Sequence, residues 1–357
     1  MIDNTIDTMF NIKTYIDSLP EDIEVIDVSF KNITSLDVRK FKNLKKLYCY
    51  NNKLTSLQLN ENLERLECHY NQLTSLQLNE KLEILYCSYN QLTSLQLNEN
   101  LEILECYNNQ LTTLQLNENL ETLQCHYNQL TSLQLNKKLK ILDCSYNQLT
   151  SLQLNKKLKI LYCNTNQLTS LHLNKNLETL ECHYNQLTSL HLNKNLRTLF
   201  CHTNQLTSLQ LNENLRTLYC SSNQLTSLHL NDNLQELHCH TNQLTSLHLN
   251  KNLKELYCNN NQLTSLYLNE KLDLLYCDNN PIYEIINGYD ANIVKQRIRV
   301  LNQFRYLYYS LKFKKQLRDW LWVKIREPKI REKYHYRYLL ENLPDEDADL
   351  DEVLDAW

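Results

Sequence analysis

Glycine occurs once in the 357 residues, at Gly288, and methionine only twice. Almost no turn can rely on the one residue that takes positive φ without cost, so other residue types must shape the turns. No apolar run approaches the ~20 residues of a membrane-crossing helix. Met1-Ile2-Asp3-Asn4-Thr5-Ile6-Asp7 has neither a basic n-region nor an apolar h-region. A secretory signal is therefore not expected, and a cytoplasmic place is. Positive charge is not in excess either. Lys and Arg number 37 against 41 Asp and Glu, a net charge of −4. That excludes a general nucleic-acid binder built on the whole chain. What is abundant is apolar, at 42% of residues, enough for a sizeable core. Tyrosine (23 residues), Asn and Lys are heavily used, a bias that fits an AT-rich genome.

The thirteen cysteines stand at 49, 68, 87, 106, 125, 144, 163, 182, 201, 220, 239, 258 and 277, always 19 residues apart. In a reducing compartment they are not expected to form disulfides. A fixed interval is the signature of a repeat architecture. One unit reads Leu63, Leu66, Cys68, Asn71, Leu73, Leu76, Leu78, Asn79. The next reads Leu82, Leu85, Cys87, Asn90, Leu92, Leu95, Leu97, Asn98. Alternation around Leu66 and Cys68 has period two and predicts a strand. Nothing from Leu73 to Leu82 has helical spacing, so the return should be extended or turn-like. A single unit cannot bury its apolar side, and only stacking on its neighbours stabilises it. Asn52, Asn71, Asn90 and their equivalents to Asn280 are expected to make the turn, through positive φ and through side-chain hydrogen bonds. Asn79 and its equivalents would make the second turn in the same way.

The pattern L-x-x-L-x-C-x-x-N-x-L resembles the leucine-rich repeat signature, with Cys in place of a Leu. The resemblance covers about residues 23–286, with a degenerate first unit from Ile23 through Ile33, or about 14 turns of 19 residues. The unit is shorter than the usual 20–29 residues and is most similar to the short repeats of secreted bacterial effectors. Overall style and tail also look like the leucine-rich repeat proteins of giant, mimivirus-like DNA viruses that infect amoebae. The resemblance implies a β-rich solenoid, a horseshoe or rod with a parallel sheet and no convex helices.

Capping is needed at both ends of a solenoid. Residues 1–22 suit an α-helical N-terminal cap, with Ile12, Tyr15, Ile16 and Leu19 at helical spacing and Pro20 as terminator. Residues 287–357 suit an α-helical C-terminal region. There Ile293, Ile298, Val300, Leu301, Phe304, Leu307, Tyr308 and Leu311 form an apolar stripe. A second helical segment is expected at "LRDWLWVKI", a third at "KIREKYHYRYLLENL" and a short acidic one at "DLDEVLDAW". Residues 290–340 carry fourteen Lys/Arg against four Asp/Glu, and residues 341–357 eight Asp/Glu and no Lys/Arg. Two readings stand for this basic, aromatic body: a helical cap with Trp320 and Trp322 in its core, or a module for nucleic acid or an anionic surface.

Neighbouring residues on a strand face opposite ways. With Cys68 in the core, His69 faces out, so the two cannot grip one ion. The cysteines are expected to stack as a buried column of small hydrophobes. The residues flanking each Cys would line the concave sheet, and they vary while the core does not. Candidate partner-binding residues are Phe200, Tyr219, His238, Tyr257 and Tyr276 at the C-terminal end, with Tyr86 and Tyr162 further back. Tyr-rich surfaces suit protein interfaces. No catalytic residue, cofactor or metal ligand is assigned. The resembling effectors often carry a C-terminal ubiquitin ligase with a catalytic Cys, but no Cys follows Cys277. The expected function is a non-enzymatic scaffold for a host or viral protein partner. A second basic feature, Lys137, Lys138, Lys140, Lys156, Lys157 and Lys159, reads as a solvated face.

Overall fold

A computed structural model describes residues 10–286, 291–321, 323, 324 and 328. Two compact units meet at Lys295–Gln296. Within the first, helix α1 (Ile12–Ser18) opens the described chain. Its N-cap is Asn11, whose side chain accepts a hydrogen bond from the Thr14 N–H at 3.0 Å. It ends at Leu19, extended at ψ 144° because Pro20 follows. Ile16 is its buried residue.

Fourteen strands of three residues each then form one parallel sheet among the described residues. Between Val25–Asp27 and Lys46–Tyr48 the pairing joins Ile26 to Leu47, a step of 21 residues. Each later step is 19: Leu66 pairs with Leu85, Leu85 with Leu104, and so on to Leu275. The middle residue of every strand is buried and its neighbours face outward. Ladder hydrogen bonds continue past the strand: the Cys68 N–H donates to the Tyr86 carbonyl at 2.8 Å and Tyr70 N–H to Ser88 at 3.0 Å. No helix interrupts residues 23–280. On the return side only Ser35–Asp37 and Ser56–Gln58 pair as strands.

The core is a stack of columns. Leu63, Leu66, Cys68 and Leu73 are fully buried and Leu76 nearly so, and the same positions are buried in the following units. Leu78 and its equivalents, the last leucine of each unit, are only half-buried. Leu135 and Leu154 thereby line an open groove of about 1030 Å³ with Lys137, Lys156 and Lys157.

Both turns rest on asparagine amides. Asn71 is buried, its Nδ2 donates to the Cys49 and Cys68 carbonyls at 3.0 Å each, and its Oδ1 accepts from the Leu54 N–H at 2.9 Å. One side chain thus pairs backbone groups from adjacent rungs that would otherwise be orphaned in the core. At the second turn Asn98 Nδ2 donates to the Asn79 and Leu82 carbonyls at 2.8 and 2.9 Å. Positive φ, however, is not a property of these asparagines. It belongs to the residue before the first-turn Asn: Asn51, Tyr70, Tyr89, Asn108, Tyr127, Thr165, Ser222 and the rest of that column, at φ 51–55°. The carboxamide must aim inward to reach its carbonyls, so the preceding residue takes the left-handed conformation. For a non-glycine residue that costs roughly 1–2 kcal/mol.

At the C-terminal end, helix α2 (Pro281–Ile286) follows the last strand, with Ile282 fully buried. Helix α3 (Ala291–Leu321) comes next. Lys295 Nζ donates to the Leu272 carbonyl at 3.0 Å and also to that of Asp273, satisfying carbonyls of the final rung. The expected break between Leu311 and Leu317 is absent, since residues 312–316 contain neither glycine nor proline and the next proline is Pro328. Of the expected apolar stripe, Ile298 is buried and Leu301 half-buried, but Ile293, Val300, Phe304, Leu307 and Tyr308 are exposed, while Val294, outside that stripe, is buried. Trp320 is 55% exposed, so it builds no core. Trp322 and the third and fourth expected segments lie outside the described residues.

Candidate functional site

Each three-residue strand presents its first and third residue on the outer face of the sheet. In-register pairing at 19-residue steps lines equivalent positions up in columns. The third-residue column holds the sequence candidates. From residue 200 onward it is aromatic in five consecutive rungs, and the rings stack. Centroid separations are 4.4 Å for Phe200–Tyr219, 3.8 Å for Tyr219–His238, 4.0 Å for His238–Tyr257 and 4.7 Å for Tyr257–Tyr276. Parallel strands about 4.8 Å apart set this spacing, close to the distance that offset aromatic rings prefer. The stack is half-buried along its length and ends at Tyr276, 48% exposed.

Tyr86 and Tyr162 lie in the same column but outside the stack. The Arg65 guanidinium sits 5.0 Å from the Tyr86 ring centroid, a cation–π contact. Tyr162 has Asp143 and Glu181 in the adjoining rungs. Burial, followed by those two carboxylates, pushes its hydroxyl pKa up.

The column after each Cys is also stacked where its residues allow. Tyr107–His126 and His183–His202 stack at 4.2 Å, and Tyr50–His69 at 4.6 Å. Burial lowers the His183 pKa to about 4, with His202 adding to the effect, and burial also lowers His69, His202, His238 and His240. These rings are therefore neutral near pH 7.

Sequence reasoning missed two features. One is the exposed tyrosine column at positive φ, where Tyr70–Tyr89 and Tyr127–Tyr146 stack at 4.2 Å. Its signal was the Tyr-Asn pair that opens the first turn. The other is the first-residue column: Arg65, Ile84, Ile103 and Thr122 early, Glu236 and Glu255 late. The Tyr219 hydroxyl donates a hydrogen bond to Glu236 from the adjacent rung. Burial, then this bond, raise the Tyr219 pKa.

The cysteine column is a core feature. All thirteen are free and buried. Burial pushes the thiols up, to about 12 at Cys220 and Cys277. A thiol held protonated is neither nucleophile nor metal ligand at neutral pH. The lysine patch is partly neutralised, since Lys140 pairs with Glu121 at 2.6 Å and Lys159 with Glu178 at 3.3 Å. No helix among the described residues is long and apolar enough to cross a membrane.

No protein-family model matches the chain, and no curated protein matches it. Solved structures do. The functional domain of InlJ from Listeria monocytogenes, described as including a cysteine ladder, is 34% identical, with a TM-score of 0.69 over 72% of this chain and 63% of that one. The chain thus spans a little under two thirds of the InlJ domain. YopM of Yersinia pestis, described as a leucine-rich effector protein, is 29% identical over 72% of this chain and 84% of that one, TM-score 0.63. YopM of Yersinia enterocolitica is 28% identical over 73% and 70%, TM-score 0.59. Matched in its winding by these structures, and coiled without convex helices, the protein has the leucine-rich repeat fold, built from 19-residue units.

Proposed function

We propose that the chain is a non-enzymatic scaffold that binds a protein partner on the outer face of its sheet, centred on Phe200, Tyr219, His238, Tyr257 and Tyr276. The supporting observation is the unbroken five-ring stack, a rigid, half-exposed aromatic strip on an otherwise varied face. Rigid aromatic anchors lose little entropy on binding and dominate interface energetics. The repeat fold itself is typical of protein-interaction scaffolds, and the similar structures include effectors. The buried, protonated thiols support the non-enzymatic reading. Free cysteines throughout also support a reducing, cytoplasmic setting. A lineage among giant amoeba-infecting viruses, which would make the partner a host or viral protein, is part of this proposal and rests on the sequence resemblance.

The test is affinity capture from candidate partner lysates with the full chain, beside a variant with Phe200, Tyr219, Tyr257 and Tyr276 each changed to Ala. A protein held by the first and lost by the second supports the reading. A partner retained equally by both sinks the assignment to this strip.

One observation favours a second reading for α3. Phe304, Tyr306, Tyr308, Tyr309, Phe313 and Trp320 are all exposed there, interleaved with Arg297, Arg299, Arg305, Lys312, Lys314 and Arg318. Basic residues with exposed aromatics suit nucleic acid or an anionic surface. Binding that weakens steeply with salt would support this reading, and no binding to single-stranded nucleic acid or anionic vesicles at low salt would dismiss it.

A further inference from the structure

Glutamate enters the outer face at the first strand position in two rungs only, and they are neighbours. Glu236 and Glu255 pair in register across adjacent parallel strands, Glu236–His238 and Glu255–Tyr257. The same column elsewhere from Ile84 onward is Ile, Thr or Leu. Two carboxylates side by side on one face repel, and both are half-buried, where solvent screens them less. Among the described residues no Lys or Arg lies within 4.0 Å of either carboxylate. The sheet therefore holds a pair of neighbouring carboxylates with no Lys or Arg ion-paired to either among the described residues.

An imidazole faces the same spot. His238 lies two residues after Glu236, hence on the same face, and its Nε2 is 3.2 Å from Glu236 Oε1. Stacking between Tyr219 at 3.8 Å and Tyr257 at 4.0 Å fixes the ring plane. The Tyr219 hydroxyl, donating to Glu236, holds that carboxylate in turn. One ligand atom from each of Glu236, His238 and Glu255 lies within 4.8 Å of the other two. Tetrahedral coordination with bonds of about 2.0–2.1 Å needs donors about 3.3–3.5 Å apart. The His238–Glu236 pair, at 3.2 Å, lies within about 0.1 Å of this range, and a side-chain rotation of Glu255 brings in the third donor.

We propose that Glu236, His238 and Glu255 bind one divalent transition-metal ion, with Zn2+ the fitting probe, on the outer face of the sheet. One nitrogen and two carboxylate oxygens form a mixed set that suits such an ion. Mg2+ and Ca2+ take all-oxygen shells of six or more ligands. Three protein ligands leave at least one coordination position open toward the face. The buried thiols do not compete in the folded protein. The sequence reading assigned no metal ligand because Glu236 and Glu255 are nineteen residues apart, and only strand pairing makes them neighbours.

This inference does not depend on the partner-binding reading, because it is tested on the full chain alone. Metal-free, reduced protein is titrated with Zn2+ by calorimetry, and its Co2+ form is examined for visible ligand-field absorption. One equivalent should bind, with excess Mg2+ failing to displace it. The near-isosteric Glu255→Gln should weaken binding at least about tenfold. His238→Phe, which keeps an aromatic ring in the stack, should abolish it along with the Co2+ signal. Circular dichroism and the melting temperature of metal-free Glu255→Gln establish that it is folded, and that variant decides if His238→Phe is not. No binding by the wild type overturns the proposal, and so does unchanged affinity in Glu255→Gln, which would place the ion elsewhere, such as the His183–His202 pair.

Discussion

Residues one position apart in the same strand live under opposite rules. Inward, Leu66, Leu85, Leu104 and Cys68, Cys87, Cys106 repeat without variation. Outward, Glu67 is followed by Tyr86, Glu105, Gln124 and Asp143 in the next rungs. An inward residue must fill the same volume against identical residues above and below, and close packing punishes any change of size. An outward residue meets only its column neighbours and solvent. The interior therefore specifies the coil, and variation able to carry recognition accumulates on the outer face. The cysteine column belongs wholly to the first regime despite its reactive chemistry.

That contrast can be broken or sharpened. The largest effect is expected from Asn166→Ala in the middle of the array. It removes the donor to the Cys144 and Cys163 carbonyls at 3.0 and 3.2 Å and the acceptor for the Leu149 N–H at 2.9 Å. At about 1–3 kcal/mol for each buried group left unpaired, the loss should exceed roughly 3 kcal/mol in urea unfolding. A loss below about 1 kcal/mol would contradict the role given to the asparagine amides. Next, Cys163→Ser should destabilise by about 1–3 kcal/mol, since a hydroxyl replaces a fully buried thiol among leucines. Neutrality there would mean the column tolerates polarity. In parallel, a thiol-alkylating reagent should leave the folded chain almost unmodified and label thirteen sites once it is unfolded.

A smaller effect is expected from pH. The His183 pKa is about 4 in the fold, against about 6.5 in an unfolded chain. Between those values the unfolded state binds more protons, so stability falls as pH drops through that window. His69, His202, His238 and His240 shift the same way. Burial raises Glu105 and Glu181, which pull in the opposite sense but are fewer. The melting temperature should fall by several degrees from pH 7 to pH 5, and His183→Gln with His202→Gln should flatten that slope. A flat wild-type profile would show that these rings are not protected. The smallest effect is expected at Thr165, β-branched at φ 53°. Thr165→Asn should stabilise by about 0.5–1 kcal/mol, because Asn tolerates that conformation better. Destabilisation would mean the threonine side chain makes a contact that outweighs its backbone cost.

The 19-residue interval of the cysteines determined the repeat, the alternation at Leu66 and Cys68 the strand and its buried columns, and the lack of helical spacing from Leu73 to Leu82 the return without a helix. A period exposes every constraint that is repeated, because each rung restates it. The outward aromatics were legible for the same reason, as the positions beside an invariant core. Less legible was anything set by backbone geometry inside a turn. The same Tyr-Asn letters could place positive φ on either residue, and only the inward reach of the amide to its carbonyls decided for the first. Leu78 is apolar like the core leucines, yet it is only half-buried. The five-ring stack, the separation of Tyr86 and Tyr162 from it, and the meeting of Glu236, His238 and Glu255 came from tertiary structure alone. Strand pairing converts a sequence separation of nineteen into a spatial one of about 5 Å, and which side chains then touch depends on their rotamers as well as on their order in the chain.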